Sequence, residues 1–281
     1  MDAIQIYGGN CPEGQIKIQG SKNAVLPILA ATLLIDGTCE IKNCPIISDV
    51  HHMLRLMESL CCTINRKGHT LTIDAACLSR CDMPSDSVSV MRSSIMLLGA
   101  LLARTGSVSM QYPGGCVIGQ RPIAVFKKSH KAVISGSLAA FSMTVSPCAS
   151  TAARSRFSGF PTDLQSAFLA AMTLADGEGV LQETIFENRF RIVPQLQKMG
   201  ADIVCRDNTV YVKGRRKLHG AVLQAQELRG GAALVLAGSA AEGTTVVCNR
   251  HFIERGYEDI CKDLGEIGIR CKKIDYREYN G

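Results

Sequence analysis

Apolar positions along this chain fall into four segments built on one plan. Each has a run of small and aliphatic residues, a glycine turn, a short strand-like stretch and a polar junction, usually followed by an amphipathic helix and a hairpin. The first is SKNAVLPILAATLLIDGTCEIKN, continued by SDVHHMLRLMESLCCTINRKGHTLTI. The second, MRSSIMLLGALLARTGSVSMQYPGGCVIGQRP, stops before its second helix. The third is TDLQSAFLAAMTLADGEGVLQETIFENRF with RIVPQLQKMGADIVCRDNTVYV, and the fourth is LRGGAALVLAGSAAEGTTVVCNRHFIERGY with EDICKDLGEIGIRCKKI. The turn glycines Gly37 and Gly106 lie 69 residues apart, and Gly179 and Gly243 lie 64 apart. A recurrence of this size predicts repeated supersecondary units that bury their apolar faces by stacking.

In the first run of each segment, Ala, Leu and Gly recur on more than one face, which predicts a helix covered on most sides by strands. The second helices, such as Val50–Leu60 and Tyr257–Ile267, are amphipathic and predicted nearer the surface. The predicted class is α/β, built of repeats whose helices are enclosed by sheet.

Charge recurs with the repeats. The inner helices begin with Lys22, Arg92, Asp163 or Arg229, and three strand-to-helix junctions carry Arg121, Arg189 or Arg255. Helix N-termini expose unpaired N–H groups and a partial positive charge, so cations added there would gather around an anion. Arginine suits bidentate grip of phosphate or carboxylate. The other reading is a set of solvated end-of-helix charges, but their recurrence favours convergence.

A glycine-rich stretch, Tyr112–Ile123 (YPGGCVIGQRPI), places Cys116 after Gly114 and Gly115 and ahead of Arg121. Paired glycines permit a tight or left-handed backbone, so the loop can present a thiol to a small ligand beside a guanidinium. A surface turn with an idle cysteine fits these residues equally well.

Composition narrows the partners. The chain has 281 residues, 46% hydrophobic and 20% charged, enough for one large domain or two ordinary ones with a core of aliphatic residues, since Trp is absent. Its formal charge of +6 is scattered, and no basic tract interleaves with aromatics, which argues against nucleic acid. The start, MDAIQIYGG, shows no export signal, and the longest apolar runs, Ala24–Ile35 and Gly230–Ala241, are too short for a bilayer. Thirteen cysteines without an export signal predict reduced thiols in a cytoplasm, most of them small buried hydrophobes, and their spacing offers no zinc knuckle. Ala124–Phe157 is rich in Ser and Ala, lacks Asp and Glu, and breaks the repeat pattern. A flexible connector and sequence foreign to the original fold both fit it, and its composition predicts poor order.

With GSKNAVLPILAATLL, YPGGCVIGQRP, GFPTDLQSAF, ETIFENRF and IERGYE in that order, the chain resembles the UDP-N-acetylglucosamine 1-carboxyvinyltransferases, enolpyruvyl transferases that open peptidoglycan synthesis. The motifs cover Met1–Ile123 and Ser158–Ile274. The related shikimate-pathway transferase shares the fold, but PGGCxIG and FENRF point to the sugar-nucleotide enzyme. The resemblance implies a two-domain inside-out α/β barrel of six repeats that closes over its substrates, with the cysteine loop as lid. It implies phosphoenolpyruvate and UDP-N-acetylglucosamine as substrates, no metal and no organic cofactor.

By the same resemblance Lys22 contacts phosphoenolpyruvate and Asn23 helps hold the sugar nucleotide. Arg92, Arg121 and Arg255 grip phosphate and carboxylate, and Cys116 exchanges a proton with, or adds to, phosphoenolpyruvate. Asp163 takes the proton of the sugar 3′-hydroxyl, while Pro122, Ile123, Ile185, Arg189 and Arg229 contact or support substrate. The chain departs from the family after Ile123. The family continues with an Asp-Leu-His run, where this chain has Ala124-Val125-Phe126. Four repeats are countable against six, which predicts an internal deletion. The expected organisation is a partial inserted domain over 22–123, an atypical connector over 124–157, and a partial second domain made of 1–21 and 158–281.

Overall fold

A computed structural model describes residues 2–78, 92–105, 108–109, 132–133, 162–183, 186, 188–215 and 217–276. The chain divides into two compact units, one of residues 18–140 and one of residues 1–17 with 141–281.

The N-terminal strand β1 (Asp2–Tyr7) belongs to the second of these. The unit of residues 18–140 begins with helix α1 (Lys22–Thr32), strand β2 (Thr38–Ile41), helix α2 (Ser48–Ser59) and the hairpin β3 (Thr63–Lys67) and β4 (Thr70–Asp74). Helix α3 (Ile95–Thr105) and the two-residue strands β5 (Val108–Ser109) and β6 (Ala132–Val133) follow. The hairpin turns at Gly68, whose φ of 58° suits a residue without a side chain. β4 lies between β2 and β3, antiparallel to both, with Ile73 opposite Cys39 and Ile64. Leu26, Leu29, Met53, Met57, Ile73 and Leu97 are among the residues that close one core. Arg104, in the last turn of α3, donates to the Leu33 and Ile35 carbonyls at 2.9 and 2.7 Å and to Asp36. It thereby satisfies carbonyls left unpaired at the end of α1. The two helices pack together with their C-terminal ends pinned, and each has eleven residues, so Lys22 at the start of α1 and Ile95 at the start of α3 lie at the same end.

The second unit continues with α4 (Gln165–Met172), β7 (Glu178–Gln182), α5 (Val193–Lys198), and the hairpin β8 (Asp202–Arg206) and β9 (Thr209–Lys213). Strand β10 (Val222–Gln224), helix α6 (Leu228–Ala240), β11 (Thr244–Cys248), α7 (Ile260–Gly265) and β12 (Arg270–Asp275) complete it. The sheet order β7-β9-β8 reproduces β2-β4-β3, again with the returning hairpin strand in the centre. After β12 no returning strand is described, and β1 takes its place. It runs antiparallel to both β11 and β12, giving the order β10-β11-β1-β12. Ala3, Ile4 and Ile6 are at most 1% exposed there.

Three expectations are corrected by the coordinates. In the third segment the turn glycine is Gly177, at φ 111°, whereas Gly179 lies inside β7 with the Met172 side chain where a Cβ would stand. The final amphipathic helix spans only Ile260–Gly265, because Asp259 caps it by accepting from the Lys262 N–H at 3.2 Å. Of ten described cysteines three are buried, namely Cys44, Cys62 and Cys248, so burial is not the general reason for their number. Among the described residues no helix is long and apolar enough to cross a membrane.

Candidate functional site

In the unit of residues 18–140, Lys22 is the first residue of α1, and its ammonium pairs with the Asp49 carboxylate. Asp49 sits in the first turn of α2 and is buried, so the pair anchors one helix start against another. Asn23 follows Lys22 and is exposed. Pro27, inside α1, has no N–H to offer and withdraws one ladder bond from the turn that carries both residues. Arg92 is half-buried on a 3-10 turn, Arg92–Ser94, that leads into α3. Cys116, Arg121, Pro122 and Ile123 lie outside the described residues.

In the other unit, the described site residues meet at the N-terminus of α6. Glu227 is its N-cap, accepting from the Arg229 N–H at 2.9 Å and from the Gly230 N–H. Arg229, second in the helix, reaches Asp163 with Nη2 2.5 Å from Oδ2. Asp163 stands on a 3-10 turn, Thr162–Leu164, at the start of α4, and α4 packs on α6. Arg189 lies behind this pair with its side chain 2% exposed. Its Nη2 donates to the Thr162 carbonyl at 2.8 Å, its Nη1 lies 4.0 Å from Glu227 Oε2, and the guanidinium covers the Phe186 ring at 5.6 Å. Glu183, also buried, accepts from Thr162 Oγ1 at 3.0 Å and from the Phe186 N–H at 3.4 Å. The turn carrying Asp163 is therefore held from two sides, by a buried cation and a buried carboxylate.

Arg255 belongs to the turn after the 3-10 helix Arg250–Phe252. That turn is packed against the start of α6. A Cβ on Gly256 would meet Leu228 Cδ2 at 2.7 Å, and one on Gly231 would meet Ile253 Cγ1 at 2.7 Å. A side chain at either position would push Leu228 or Ile253 aside. Next to it, burial pushes the Tyr257 phenol above its ordinary value, with the Arg229 charge opposing and Glu227 adding to the rise. Ile185 lies outside the described residues.

Asp163 and Arg229 are thus in direct contact, Arg189 is tied to them through Thr162 and Glu227, and Arg255 is brought to the same helix end by packing. Arg189 is too enclosed to meet a ligand freely and acts as a brace. The sequence reading passed over Asp49, Glu183 and Glu227. A carboxylate beside an inner-helix start, or just ahead of one as in Glu227-Leu228-Arg229, was the available signal, because cations gathered at a helix end need buried counter-charges. The hollow lined by Asn188, Arg191, Pro194, Cys205, Asp207 and Gln226, of about 350 Å³, contains none of the expected site residues.

Chemically, an N-terminal helix end with Arg229 and a nearby Arg255 suits an anionic ligand, and Asp163 offers a carboxylate for proton transfer. A family model described as EPSP synthase (3-phosphoshikimate 1-carboxyvinyltransferase) matches residues 6–133 and 142–264. The match reaches further into 124–157 than the sequence motifs did. UDP-N-acetylglucosamine 1-carboxyvinyltransferase 2 of Caldanaerobacter subterraneus subsp. tengcongensis is 27% identical, over 98% of this chain and 100% of the relative. The enzyme named UDP-N-acetylglucosamine 1-carboxyvinyltransferase in Geobacter metallireducens is 26% identical, with the same coverage. The first alignment runs over 416 positions against 281 residues here, so at least 135 positions (416 − 281) carry no residue of this chain. The crystal structure of the enolpyruvyl transferase NikO from Streptomyces tendae has the same fold, at TM-score 0.72 and 18% identity, over 97% of this chain and 98% of that one. The chain belongs to the EPSP synthase (3-phosphoshikimate 1-carboxyvinyltransferase) family of enolpyruvyl transferases.

Proposed function

We propose that this chain transfers the enolpyruvyl group of phosphoenolpyruvate to the 3′-hydroxyl of UDP-N-acetylglucosamine and releases phosphate. This is the first committed step of peptidoglycan synthesis, carried out in the cytoplasm. The observation that carries the reading is the Asp163–Arg229 pair at the capped start of α6, braced by Arg189 and Glu183. The names of the relatives supply the acceptor, UDP-N-acetylglucosamine, and the carboxyvinyl group transferred, for which phosphoenolpyruvate is the donor read from the sequence motifs.

The reaction is an addition followed by an elimination, and no electrons change hands overall. Asp163 takes the hydroxyl proton as the oxygen adds to C2 of the enol phosphate, and Cys116 delivers a proton to the methylene carbon. Return of that proton to the Cys116 thiolate and departure of phosphate then restore the double bond. Lys22, Arg92, Arg121 and Arg255 hold the phosphate and carboxylate, a fixed set of charges that stabilises the loaded intermediate. Such cations also favour the Cys116 thiolate. Asn23, Pro122, Ile123, Ile185, Arg189 and Arg229 contact or support the sugar nucleotide. Side chains perform every proton transfer, so the reading requires no metal or organic cofactor.

A second reading rests on the 135 or more alignment positions without a residue here: a shortened chain that binds UDP-sugar or anions without turnover, or a remnant that does neither. Phosphate release from phosphoenolpyruvate, measured with and without UDP-N-acetylglucosamine, separates the two. The transferase releases phosphate only with both substrates, and Asp163→Asn lowers the rate about a hundredfold or more. Thermal stabilisation by UDP-N-acetylglucosamine without phosphate release would favour the binder, and absence of both would favour the remnant.

A further inference from the structure

Outside the candidate site, two cysteines of different elements meet at the seam between a helix and a strand. Cys261 is in the first turn of α7, Cys271 is the second residue of β12, and the helix packs on that strand. The Cys271 thiol donates to the Cys261 carbonyl oxygen at 3.5 Å, which holds the two residues side by side. Both are half-buried at the rim of the core, close enough to solvent for a small reagent and held closely enough to find each other. They are ten residues apart in the chain.

We propose that Cys261 and Cys271 form an oxidisable dithiol that a low-molecular-weight disulfide, such as oxidised glutathione, converts to an intramolecular disulfide. The Cys271 thiolate attacks one sulfur of the small disulfide, giving a mixed disulfide and expelling one small thiolate. Cys261 then loses its proton to solvent, and its sulfur attacks the Cys271 sulfur, closing the Cys261–Cys271 bond and releasing the second small thiolate. The protein loses two electrons and two protons, and the small disulfide gains both. The neighbouring Cys261 thiol pulls Cys271 down, whereas Cys271 and burial push Cys261 up, so Cys271 is the thiol that attacks first. Asp259 opposes ionisation of both thiols, and Lys273 eases that of Cys261. The new bond would tie α7 to β12 and remove freedom from the unfolded chain.

The folded chain is incubated with excess oxidised glutathione at mild alkaline pH, free thiols are alkylated, and tryptic peptides are mapped by mass. Lys262 and Arg270 separate the two cysteines, so the disulfide appears as a linked peptide pair. The expected result is that pair, a rise of a few degrees in Tm, and reversal of both by dithiothreitol. In Cys261→Ser the reaction should halt at glutathione bound to Cys271, and in Cys271→Ser modification of Cys261 should slow at least tenfold. Quantitative alkylation of both thiols after oxidation, or separate glutathione adducts on each in the unaltered chain, would overturn the proposal. Far-UV circular dichroism before and after treatment distinguishes reaction of the native seam from reaction of unfolded chain.

Discussion

Helices α1 and α6 look alike as sequence and differ as structure. Both start a repeat, both are rich in Ala and Leu, and both carry a cation in the first two residues. Yet ten of the thirteen residues of α6 are buried, against five of eleven in α1. The neighbours explain it: α6 is packed by α4, β11 and β1, whereas α1 is packed by α2 and α3. Ile28 of α1 and Leu34 and Ile35 just beyond it remain about half exposed. Apolar residues on every face record what a helix was built to touch, while burial records what is present to touch it. Uncovered aliphatic residues around α1 fit a chain that lacks at least 135 positions of its relatives.

The largest test of that contrast is a charge placed in each helix. Ala233→Asp puts a carboxylate into the fully buried face of α6 and should cost about 4 kcal/mol or more, measured by urea unfolding. Ile28→Asp should cost less than about 1 kcal/mol, because its side chain already meets water. Equal losses would show that α1 is covered as well as α6.

The helix starts give the next effect. Glu227→Ala removes an N-cap and the carboxylate facing buried Arg189, and should cost about 2 kcal/mol. Ser21, at the N-cap of α1, makes no side-chain capping bond, so Ser21→Ala should be nearly silent in the same measurement. A comparable loss at Ser21 would remove the distinction.

The smallest effect concerns the cap of α7. Burial opposes ionisation of Asp259, but the Lys262 amide and the Lys273 ammonium outweigh it and hold its carboxyl below the ordinary value of 3.8. A depressed folded pKa means stability present above the unfolded pKa and lost as pH falls through the folded one. Asp259→Asn should therefore lower Tm slightly at neutral pH, and the gap to the unaltered chain should close as the solution is acidified below pH 4. A gap independent of pH would assign the effect to packing.

Much of this architecture was legible in the residues. Runs of small apolar residues marked the inner helices, and Lys22, Arg92, Asp163 and Arg229 marked their beginnings to within a few residues. Other features depend on partners far away in sequence. Nothing local to Glu183 says that it will be buried beside Thr162. Gly179 looked like a turn because glycine permits one, but the backbone places the positive φ two residues earlier. The cysteines were expected inside on polarity alone, and most described ones are held at the rim or in solvent.

Strand β1 has a consequence for the order in which the protein can be made. Its first partner, Thr244, lies 237 residues beyond Tyr7 (244 − 7). A ribosome adding roughly 5–20 residues per second needs about 12 to 47 seconds to cover that distance. Throughout that interval Ala3, Ile4 and Ile6, all fully buried in the finished sheet, have neither β11 nor β12 to pair with. An unpaired apolar strand is a template for adventitious pairing, so β1 is open to it until Thr244 and the residues after it emerge.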